Sequence, residues 1–414
     1  MLRRMFSTQP QNIEATLAKR VMDIRQEGRY RTFREFTRTA GQFPKGQLCS
    51  HPHTQEVTNY CSNDYLSMGQ HPSVLSAIRK TLAVTGAGSG GTRNISGTSP
   101  YHSRLESDIA CLHKQQRALL FSSGFVANES TISTLGKLLP GCVMFSDQHN
   151  HASLIGGIRQ SGCSKHIFSH NDTEQLQSLL EDTDPGRPKI IIFESIYSMS
   201  GSVAPIEAIC NLAHKYGAIT FLDEVHAVGL YGTTGAGMAE HLNIGHLPTI
   251  ISGTLSKGYG VYGGYISTTD TICDSVRSFA PGFIFTSSIP PAIAAGASAS
   301  VQHLKYSASE RTMLQYKVQR LKTMLTTAGI SFMENETHIV PILIGDSLLS
   351  HRVSELLLTK HNIYVQNINF PTVERGTERL RLTPGPTHSD QMLQELVDAL
   401  QSVLHTIEKD ARTL

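Results

Sequence analysis

The chain has 414 residues and a mass of 45.3 kDa, and 39% of its residues are hydrophobic while 17% are charged. These values exclude a mini-protein and a disordered chain, and they indicate a sizeable globular core. Lys and Arg number 36 against 34 Asp and Glu, which gives a formal net charge of +2. The charges are not gathered into long blocks, so we expect neither nucleic acid nor an anionic membrane surface as a partner.

The longest uncharged stretch, 278–304, raises the question of a membrane span. It contains Pro281, Pro290 and Pro291 together with many serines, so it is predicted to be a buried segment or a subunit interface. No integral membrane segment is expected. The 7 cysteines include no CxxC pair, which predicts reduced thiols inside a cell.

The N-terminus bears on the compartment. Residues 1–13 contain Arg3 and Arg4, two hydroxyl residues and no acid before Glu14. This composition is typical of a short mitochondrial presequence and predicts the mitochondrial matrix. The alternative is a poorly ordered bacterial N-terminus, and hence a bacterial cytoplasm.

Helix-like periodic stretches alternate with short runs of Val, Ile and Phe from about residue 70 onward. This rhythm is typical of an α/β fold with a large, mostly parallel sheet. After residue 303, longer helical patterns and fewer strands predict a smaller C-terminal α+β domain. The predicted division is an N-terminal segment and arm at 1–60, a large domain at 61–303 and the small domain at 304–414. The strands of the large domain are predicted at 118–121, 142–146, 165–169, 189–194, 218–223, 249–252 and 263–267.

Two stretches, 86–91 and 258–263, match G-x-G-x-x-G. Neither follows a predicted strand and opens a helix, so we do not interpret them as dinucleotide-binding sites. Their glycines instead predict places where the backbone comes close to a neighbour.

Ionisable residues follow two predicted strands, at the edge where the carboxyl ends of parallel strands meet. The strand at 218–223 ends in Asp223 and leads to His226, and the strand at 249–252 leads to Lys257. A carboxylate, an imidazole and a lysine at one edge suit pyridoxal phosphate chemistry: the lysine binds the cofactor covalently and the carboxylate pairs with its ring nitrogen. From spacing alone an alternative stays open, in which Asp223 caps a helix and Lys257 is a solvated loop residue.

Longer motifs around these residues are characteristic. The chain resembles the α-oxoamine synthases among the fold-type I pyridoxal-phosphate enzymes, and within them the 5-aminolevulinate synthase subfamily, from about residue 27 to the last helix. The family motifs are FSSGF at 121–125, SDQHNHAS at 146–153, DEVHAVG at 223–229 and GTLSK at 253–257. More specific to the subfamily are GRYRTF at 28–33, YCSNDY at 60–65, GAGSGGTRNISGT at 86–98, IYVQNINFPTV at 363–373 and RLRLTP at 379–384.

The resemblance implies a role for each residue at the sheet edge. Lys257 would hold the cofactor and remove a proton from the glycine Cα, and Asp223 would pair with the protonated pyridine nitrogen. His226 would hydrogen-bond to the cofactor's phenolic oxygen and later to the substrate carbonyl, His151 would stack on the ring, and Ser198 would make a further contact. The physical reason is shared, because a carbanion is stable only if its charge spreads into a flat, protonated and firmly held ring.

The cofactor phosphate is implied to lie at a helix start near Gly124 and Phe125, beside the Thr254 hydroxyl. Thr286 and Ser287 match residues that the family supplies from the other subunit. The resemblance therefore implies a homodimer with two shared active sites.

The substrate side is implied by charge. Arg381 would bind the glycine carboxylate, for which a planar guanidinium is suited because it meets a carboxylate with two hydrogen bonds. Arg31, Thr92 and Asn94 would bind the succinyl carboxylate, and 369–376 would be the active-site lid. The implied activity is that of a pyridoxal-phosphate-dependent acyltransferase, which condenses glycine with succinyl-CoA and releases CoA, CO₂ and 5-aminolevulinate, the first step of haem and tetrapyrrole synthesis.

Three positions depart from the family pattern. The family generally has Asp, usually Gly and commonly Ser where this chain has Ser200, Ser256 and Gly385, respectively. None of the three removes a named catalytic group. The missing charge at Ser200 bears on the stability of its loop and on cofactor affinity.

Two alternatives to this function are left. The first is another α-oxoamine synthase that uses acetyl-CoA or a longer acyl-CoA, which Arg31, Thr92 and Asn94 disfavour. The second is a catalytically silent scaffold without cofactor, which Ser200 and Ser256 suggest but which the complete set of catalytic residues disfavours.

No metal site is expected. Cys49, His51 and His53 have close donor spacing, but they lie in a Pro-containing loop pattern with no fourth ligand nearby. His149 is likewise predicted to be a loop residue rather than a ligand or a catalyst.

Overall fold

The computed structural model describes residues 12–50 and 53–413, so most of the predicted presequence and residues 51–52 of the Cys49–His53 pattern lie outside the described residues. Side-chain caps begin several helices: Asn12, Ser123, Asp172 and Asp346 each accept a hydrogen bond from a backbone N–H of the first turn. The helices of the described chain, α1–α14, are Ile13–Gln26, Pro72–Thr85, Pro100–His113, Gly124–Leu138, Ala152–Ser161, Thr173–Glu181, Ile206–Lys215, Met238–His241, Asp270–Phe279, Pro281–Ile284, Pro291–Tyr306, Ser309–Thr327, Ser347–His361 and Asp390–Thr413.

The strands form three sheets. They are, as β1–β14, Glu35–Arg38, Lys45–Ser50, His53–Asn59, Arg117–Phe121, Val143–Asp147, Ser164–Phe168, Lys189–Glu194, Ala218–Asp223, Ile250–Thr254, Gly264–Thr268, Val340–Leu343, Ile363–Tyr364, Asn367–Ile368 and Arg379–Leu382. The largest sheet has seven strands in the order β4-β10-β9-β8-β7-β5-β6. Its strand β10 runs antiparallel to both neighbours, and the other pairs are parallel. The predicted α/β class with a mostly parallel sheet is confirmed, and each predicted strand of this sheet is present to within two residues.

Helices cover both faces of the seven-stranded sheet. On one face Ile190 and Ile192 of β7 pack in a cluster with Ile132 of α4 and Leu154 of α5, and on the other Ile191 and its neighbours join the main core. Every residue of β7 is therefore buried. A continuous apolar run rather than an alternating pattern is what a doubly covered parallel strand requires.

The four-stranded sheet, in the order β1-β2-β3-β12, is a feature that the sequence did not predict. Its strands β2 and β3 form an antiparallel hairpin, and β12 pairs with β3 in parallel through Thr58 and Ile363. The remaining small sheet, β11-β14-β13, is antiparallel. The N-terminal strands are thus joined to a strand from the C-terminal third of the chain. The division at residues 60 and 303 stays a prediction, and α11 spans the second of these positions.

The glycine motifs lie only in part at the predicted close approaches, because Gly86 and Gly88 have no neighbour in the described chain within 4 Å of an added Cβ. Gly260 has a φ of +68°, and a Cβ at this position would lie 2.3 Å from the Gly69 nitrogen. At Gly91 a Cβ would lie 2.2 Å from the Ile95 carbonyl oxygen. A side chain at either position would therefore clash with backbone.

The uncharged stretch 278–304 contains α10 and most of α11. Small residues of α11, among them Ala294, Gly296 and Ala297, are buried, which agrees with the prediction of a buried segment. None of the helices in the described part of the chain combines the length and apolar character that a membrane crossing requires.

Candidate active site

The carboxyl ends of β8 and β9 bring the predicted catalytic residues together. Asp223 is the last residue of β8, and Lys257 follows β9 by three residues. The Lys257 Nζ lies 2.7 Å from the Nε2 of His226. The structure therefore brings these residues together at one sheet edge, and Lys257 is half-buried against His226.

Burial changes the basicity of Lys257. Loss of solvent is the largest effect and the Arg381 guanidinium adds to it, and together they lower the pKa of Lys257 to about 7 against the opposing charges of Asp223 and Glu194. A buried lysine with this pKa holds a substantial fraction of neutral amine at physiological pH. Neutral amine is the form that attacks a carbonyl or accepts a proton.

Asp223 is fixed by two donors. One carboxylate oxygen accepts a hydrogen bond from Asn128 Nδ2 at 2.7 Å, and the other accepts one from the Val225 backbone N–H at 2.8 Å. Asn128, on α4, is itself held by the Ser252 hydroxyl at 2.5 Å. Burial raises the pKa of Asp223, while these donors and the charge of Lys257 act against that effect. The carboxylate is thus held in one orientation by its two donors.

His151 forms another wall of the site. It is the N-cap of α5, where its Nδ1 lies 2.8 Å from the Ser153 hydroxyl, and its ring meets Phe125 edge-on at 6.3 Å. Its backbone N–H donates to the buried Glu194 carboxyl at 2.6 Å. Burial and the neighbouring Asp223 raise the pKa of Glu194 well above its ordinary value. The ring of His151 is therefore held in one orientation beside Asp223 and Lys257.

Gly124 and Phe125 open α4, directly after the Ser123 cap. A Cβ on Gly124 would lie 3.4 Å from the Cβ of Thr254, so the helix start and the end of β9 are in contact. The Thr254 hydroxyl donates to the Gly263 carbonyl at 3.0 Å. A helix N-terminus is a suitable site for a phosphate dianion, because its first backbone N–H groups are free donors, and the end of β9 at Thr254 lies beside it.

A chain of hydrogen bonds connects the lysine to Arg381. The Nδ1 of His226 lies 2.9 Å from the Tyr65 hydroxyl, which accepts a hydrogen bond from Arg381 Nη2 at 2.6 Å. The same Nη2 donates to Asn63 at 2.7 Å. Burial and the charges of Lys257 and Arg381 lower the pKa of His226 well below its ordinary value, so the ring is neutral. The Nε of Arg381 is buried and has no partner within the described chain, which leaves a donor for a ligand.

Ser198 lies in the loop after β7 and is half-buried. Two residues further on, the hydroxyl of Ser200 is 2.7 Å from that of Ser202, which in turn lies 2.8 Å from His170 Nε2. The Nδ1 of His170 is 3.0 Å from buried Asp147. At position 200, where the family generally has Asp, this chain therefore has a neutral serine. Its hydroxyl contacts Ser202, which contacts His170, and Asp147 is the anionic partner of that histidine.

The residues implied for the acyl tail and the partner subunit have different hydrogen-bond partners. Arg31 donates to the hydroxyl of Thr372 in the predicted lid at 3.2 Å. The backbone of Thr92 instead pairs with Ser287, and the Thr92 hydroxyl donates to Asn94 at 2.8 Å. Thr286 precedes this bridge. The cluster of Thr92, Asn94, Thr286 and Ser287 is thus preformed in one chain.

The donor set fits pyridoxal phosphate. Asp223 offers a buried carboxylate for a protonated ring nitrogen, and Lys257 offers an amine of lowered pKa for the aldehyde. The start of α4 at Gly124, next to Thr254, suits the phosphate.

The family model for aminotransferase class I and II matches residues 55–400. The 5-aminolevulinate synthase of Rhizobium meliloti is 52% identical over 92% of this chain and 94% of its own length.

The chain belongs to the 5-aminolevulinate synthase family. The erythroid-specific, mitochondrial member of Mus musculus is 50% identical and is covered over 66% of its length. Among solved structures, the serine palmitoyltransferase of S. paucimobilis is 25% identical, with a TM-score of 0.87 over 95% of this chain and 98% of that one. An 8-amino-7-oxononanoate synthase from Francisella tularensis, 23% identical over 85% of this chain and 99% of its own, shares the fold with a TM-score of 0.72.

For three residues of this site, no role was predicted from the sequence. Glu194 ends β7 at the same sheet edge as Asp223, so its position at the end of a predicted strand could have identified it. Tyr65 lies within one of the recognised motifs, but only the structure places its hydroxyl between His226 and Arg381. Asn128 lies inside a helix, and nothing in the local sequence marks it.

Proposed function

We propose that this chain condenses glycine with succinyl-CoA to form 5-aminolevulinate, with release of CoA and CO₂. The observation that carries the proposal is the cluster of half-buried Lys257 with buried His226 and Asp223 at the sheet edge, in a chain that is 52% identical to a 5-aminolevulinate synthase. Pyridoxal phosphate, when bound, supplies the electron sink that stabilises a carbanion at the glycine Cα.

Each residue of the cluster then has a separate task. Lys257 binds the cofactor and afterwards moves the glycine Cα proton, for which its lowered pKa suits it. Asp223 keeps a positive charge at the ring nitrogen, and His151 limits movement of the ring. His226, neutral and close to Lys257, donates to an oxygen of cofactor or substrate. Gly124 and Phe125 hold the phosphate, with Thr254 and Ser198 as further contacts.

The two substrate carboxylates are bound by different arginines. Arg381 takes the glycine carboxylate, and its unpartnered Nε supports this role because a fork with a free donor can bind bidentately. Arg31, Thr92 and Asn94 bind the succinyl carboxylate. Since Arg31 donates to Thr372, closure of the lid at 369–376 would set the position of Arg31.

The function is tested by adding substrates separately to purified protein reconstituted with pyridoxal phosphate. We expect a visible cofactor band that changes with glycine, and aminoketone product only when succinyl-CoA is added. Equal rates with acetyl-CoA or octanoyl-CoA would indicate another α-oxoamine synthase. A protein that stays colourless with excess cofactor would indicate a silent scaffold.

The pKa of Lys257 gives a pH prediction for reconstitution. Because only the neutral amine reacts with the aldehyde, the rate of covalent cofactor attachment to the cofactor-free protein should rise about tenfold per pH unit below pH 7 and level off above it. Stopped-flow absorbance between pH 5.5 and about 10 measures this. A rate that still rises towards pH 10 would show an ordinary lysine pKa and contradict the assignment.

The proposed assembly is a homodimer with shared active sites. Large apolar side chains near the Thr92 and Ser287 cluster support it, since Ile95 is 66% exposed and Phe285 is 78% exposed. Exposed apolar groups of this size mark an interaction surface. Thr286 and Ser287 would then reach the cofactor phosphate of the partner subunit.

Mixed dimers test the sharing. Lys257→Ala and Thr286→Asp chains, each inactive alone, are refolded together in equal amounts. If the two residues serve one site from different chains, random pairing leaves about a quarter of the sites intact, and activity should return to about that level. No recovery, with mixed dimers verified by differently tagged chains, would place both residues in the same chain's site.

For the compartment we propose the mitochondrial matrix, with the bacterial cytoplasm as the alternative. The composition of residues 1–13 supports the first, and the 52% identity to a Rhizobium meliloti enzyme supports the second. A fusion of residues 1–30 to a reporter should be imported by isolated mitochondria and shortened. A reporter that stays outside would favour the bacterial cytoplasm.

A further inference from the structure

Two histidines and a carboxylate meet outside the active site. His71, His303 and Glu310 each offer one ligand atom, and these atoms all lie within 4.8 Å of one another. The His303 Nε2 is 2.8 Å from Glu310 Oε1, and the rings of His71 and His303 have centroids 4.1 Å apart. The side chains of His303 and Glu310 are 26% and 18% exposed, so the cluster is half-buried but accessible to an ion.

Three helices supply the three side chains. His71 is the N-cap of α2, His303 lies in the last turn of α11, and Glu310 lies in the first turn of α12. Each side chain is therefore anchored at a helix end rather than on a long loop. An ion bound here would tie α2 to the turn between α11 and α12.

Hydroxyl groups hold the outer side of the cluster. The Nδ1 of His71 lies 2.7 Å from the Ser73 hydroxyl, and the second carboxylate oxygen of Glu310 accepts hydrogen bonds from Ser307 at 2.7 Å and Ser309 at 3.0 Å. Metal ligands are oriented by outer partners of this kind, which fix the ring and the carboxylate.

We propose that His71, His303 and Glu310 form a Zn²⁺ site, with water in the remaining position, that joins α2, α11 and α12. Two imidazoles with one carboxylate are a ligand set that zinc accepts, whereas Mg²⁺ and Ca²⁺ prefer oxygen ligands. The role is structural, because the site uses none of the residues that bind cofactor or substrate. The site could not be predicted from the sequence, since His71 lies far from His303 and Glu310 along the chain and the three residues form no metal-binding motif.

Metal binding to the cofactor-loaded enzyme, first treated with a chelator, tests the proposal. Calorimetric titration with ZnCl₂ and metal analysis after desalting should give one Zn²⁺ per chain. At about 100 times the dissociation constant, the melting temperature should rise by about 3 °C. His303→Gln should weaken binding at least tenfold and abolish the rise, while kcat stays unchanged.

Controls distinguish this site from adventitious binding. His246→Gln removes an exposed histidine elsewhere and should change neither the affinity nor the melting temperature. If His303→Gln does not fold, Glu310→Gln with the same titration replaces it. The proposal is wrong if the enzyme does not retain one zinc per chain, or if His246→Gln loses as much zinc as His303→Gln. The cluster would then be only an ion pair between α11 and α12. Neither result would affect the proposed synthase activity.

Discussion

Lys257→Ala is expected to lower kcat for 5-aminolevulinate formation by about 10³-fold or more. The variant removes the group that moves the Cα proton, and a positioned acid or base contributes about 10²–10⁴-fold on its own. Asp223, His151 and the phosphate site at Gly124 are unchanged, so pyridoxal phosphate should still bind, but without a covalent bond. Steady-state rates and the absorbance of the bound cofactor after denaturation and filtration measure the two effects.

Lys165→Ala provides the matched control, because Lys165 is an exposed lysine of β6 at the opposite end of the parallel strands. Its rate should equal that of the wild type. Turnover of the Lys257 variant within about tenfold of the wild type would show that another group removes the proton. His226, 2.7 Å from the same Nζ, would then be the first candidate.

Arg381→Leu is expected to raise the KM for glycine by about 30-fold to several thousandfold. This range corresponds to about 2–5 kcal/mol for a desolvated charge pair that loses one partner. Tyr65 and Asn63 would also lose their donor, since both accept from Arg381 Nη2. Initial rates over a wide glycine range at saturating succinyl-CoA measure the change, while the KM for succinyl-CoA should move little.

Arg381→Lys separates charge from shape. Lysine keeps the positive charge but cannot offer the planar fork, so its effect should lie between those of wild type and leucine. A glycine KM that is unchanged in the leucine variant would remove Arg381 from the site. Equal effects of lysine and leucine would show that the geometry of the fork, rather than the charge, binds the carboxylate.

The strands that carry the site could be predicted because buried strands have a local apolar pattern in the sequence. In β7 the apolar run 190–193 ends at Glu194, and in β8 a mainly apolar run broken only by Thr220 ends at Asp223. A charged residue at the end of such a run predicts an edge position. The strands β1–β3 were missed because half of their residues face solvent and polar side chains interrupt the apolar pattern. Their pairing with β12 depends on a partner some 300 residues away, about which a sequence window contains no information.

The same distinction applies to the site. Lys257, Asp223, His226 and His151 stand in recognisable motifs, and the structure brings them together. Asn128 could not be found, since its role arises only from the packing of α4 against the end of β8. The contacts of Arg31 with Thr372 and of Thr92 with Ser287 could not be predicted either, because each joins residues that are far apart in the sequence.

The pairing of β3 with β12 has a consequence for how the chain is made. The Tyr60 backbone N–H donates to the Tyr364 carbonyl, and the Tyr60 carbonyl accepts from Thr383, so the N-terminal hairpin completes its hydrogen bonds only with residues from the last eighth of the chain. During synthesis, β3 emerges from the ribosome long before these partners exist. Its free edge must therefore be protected by other proteins or stay unfolded until translation nears its end, and a chain stopped after the large sheet would expose that edge permanently.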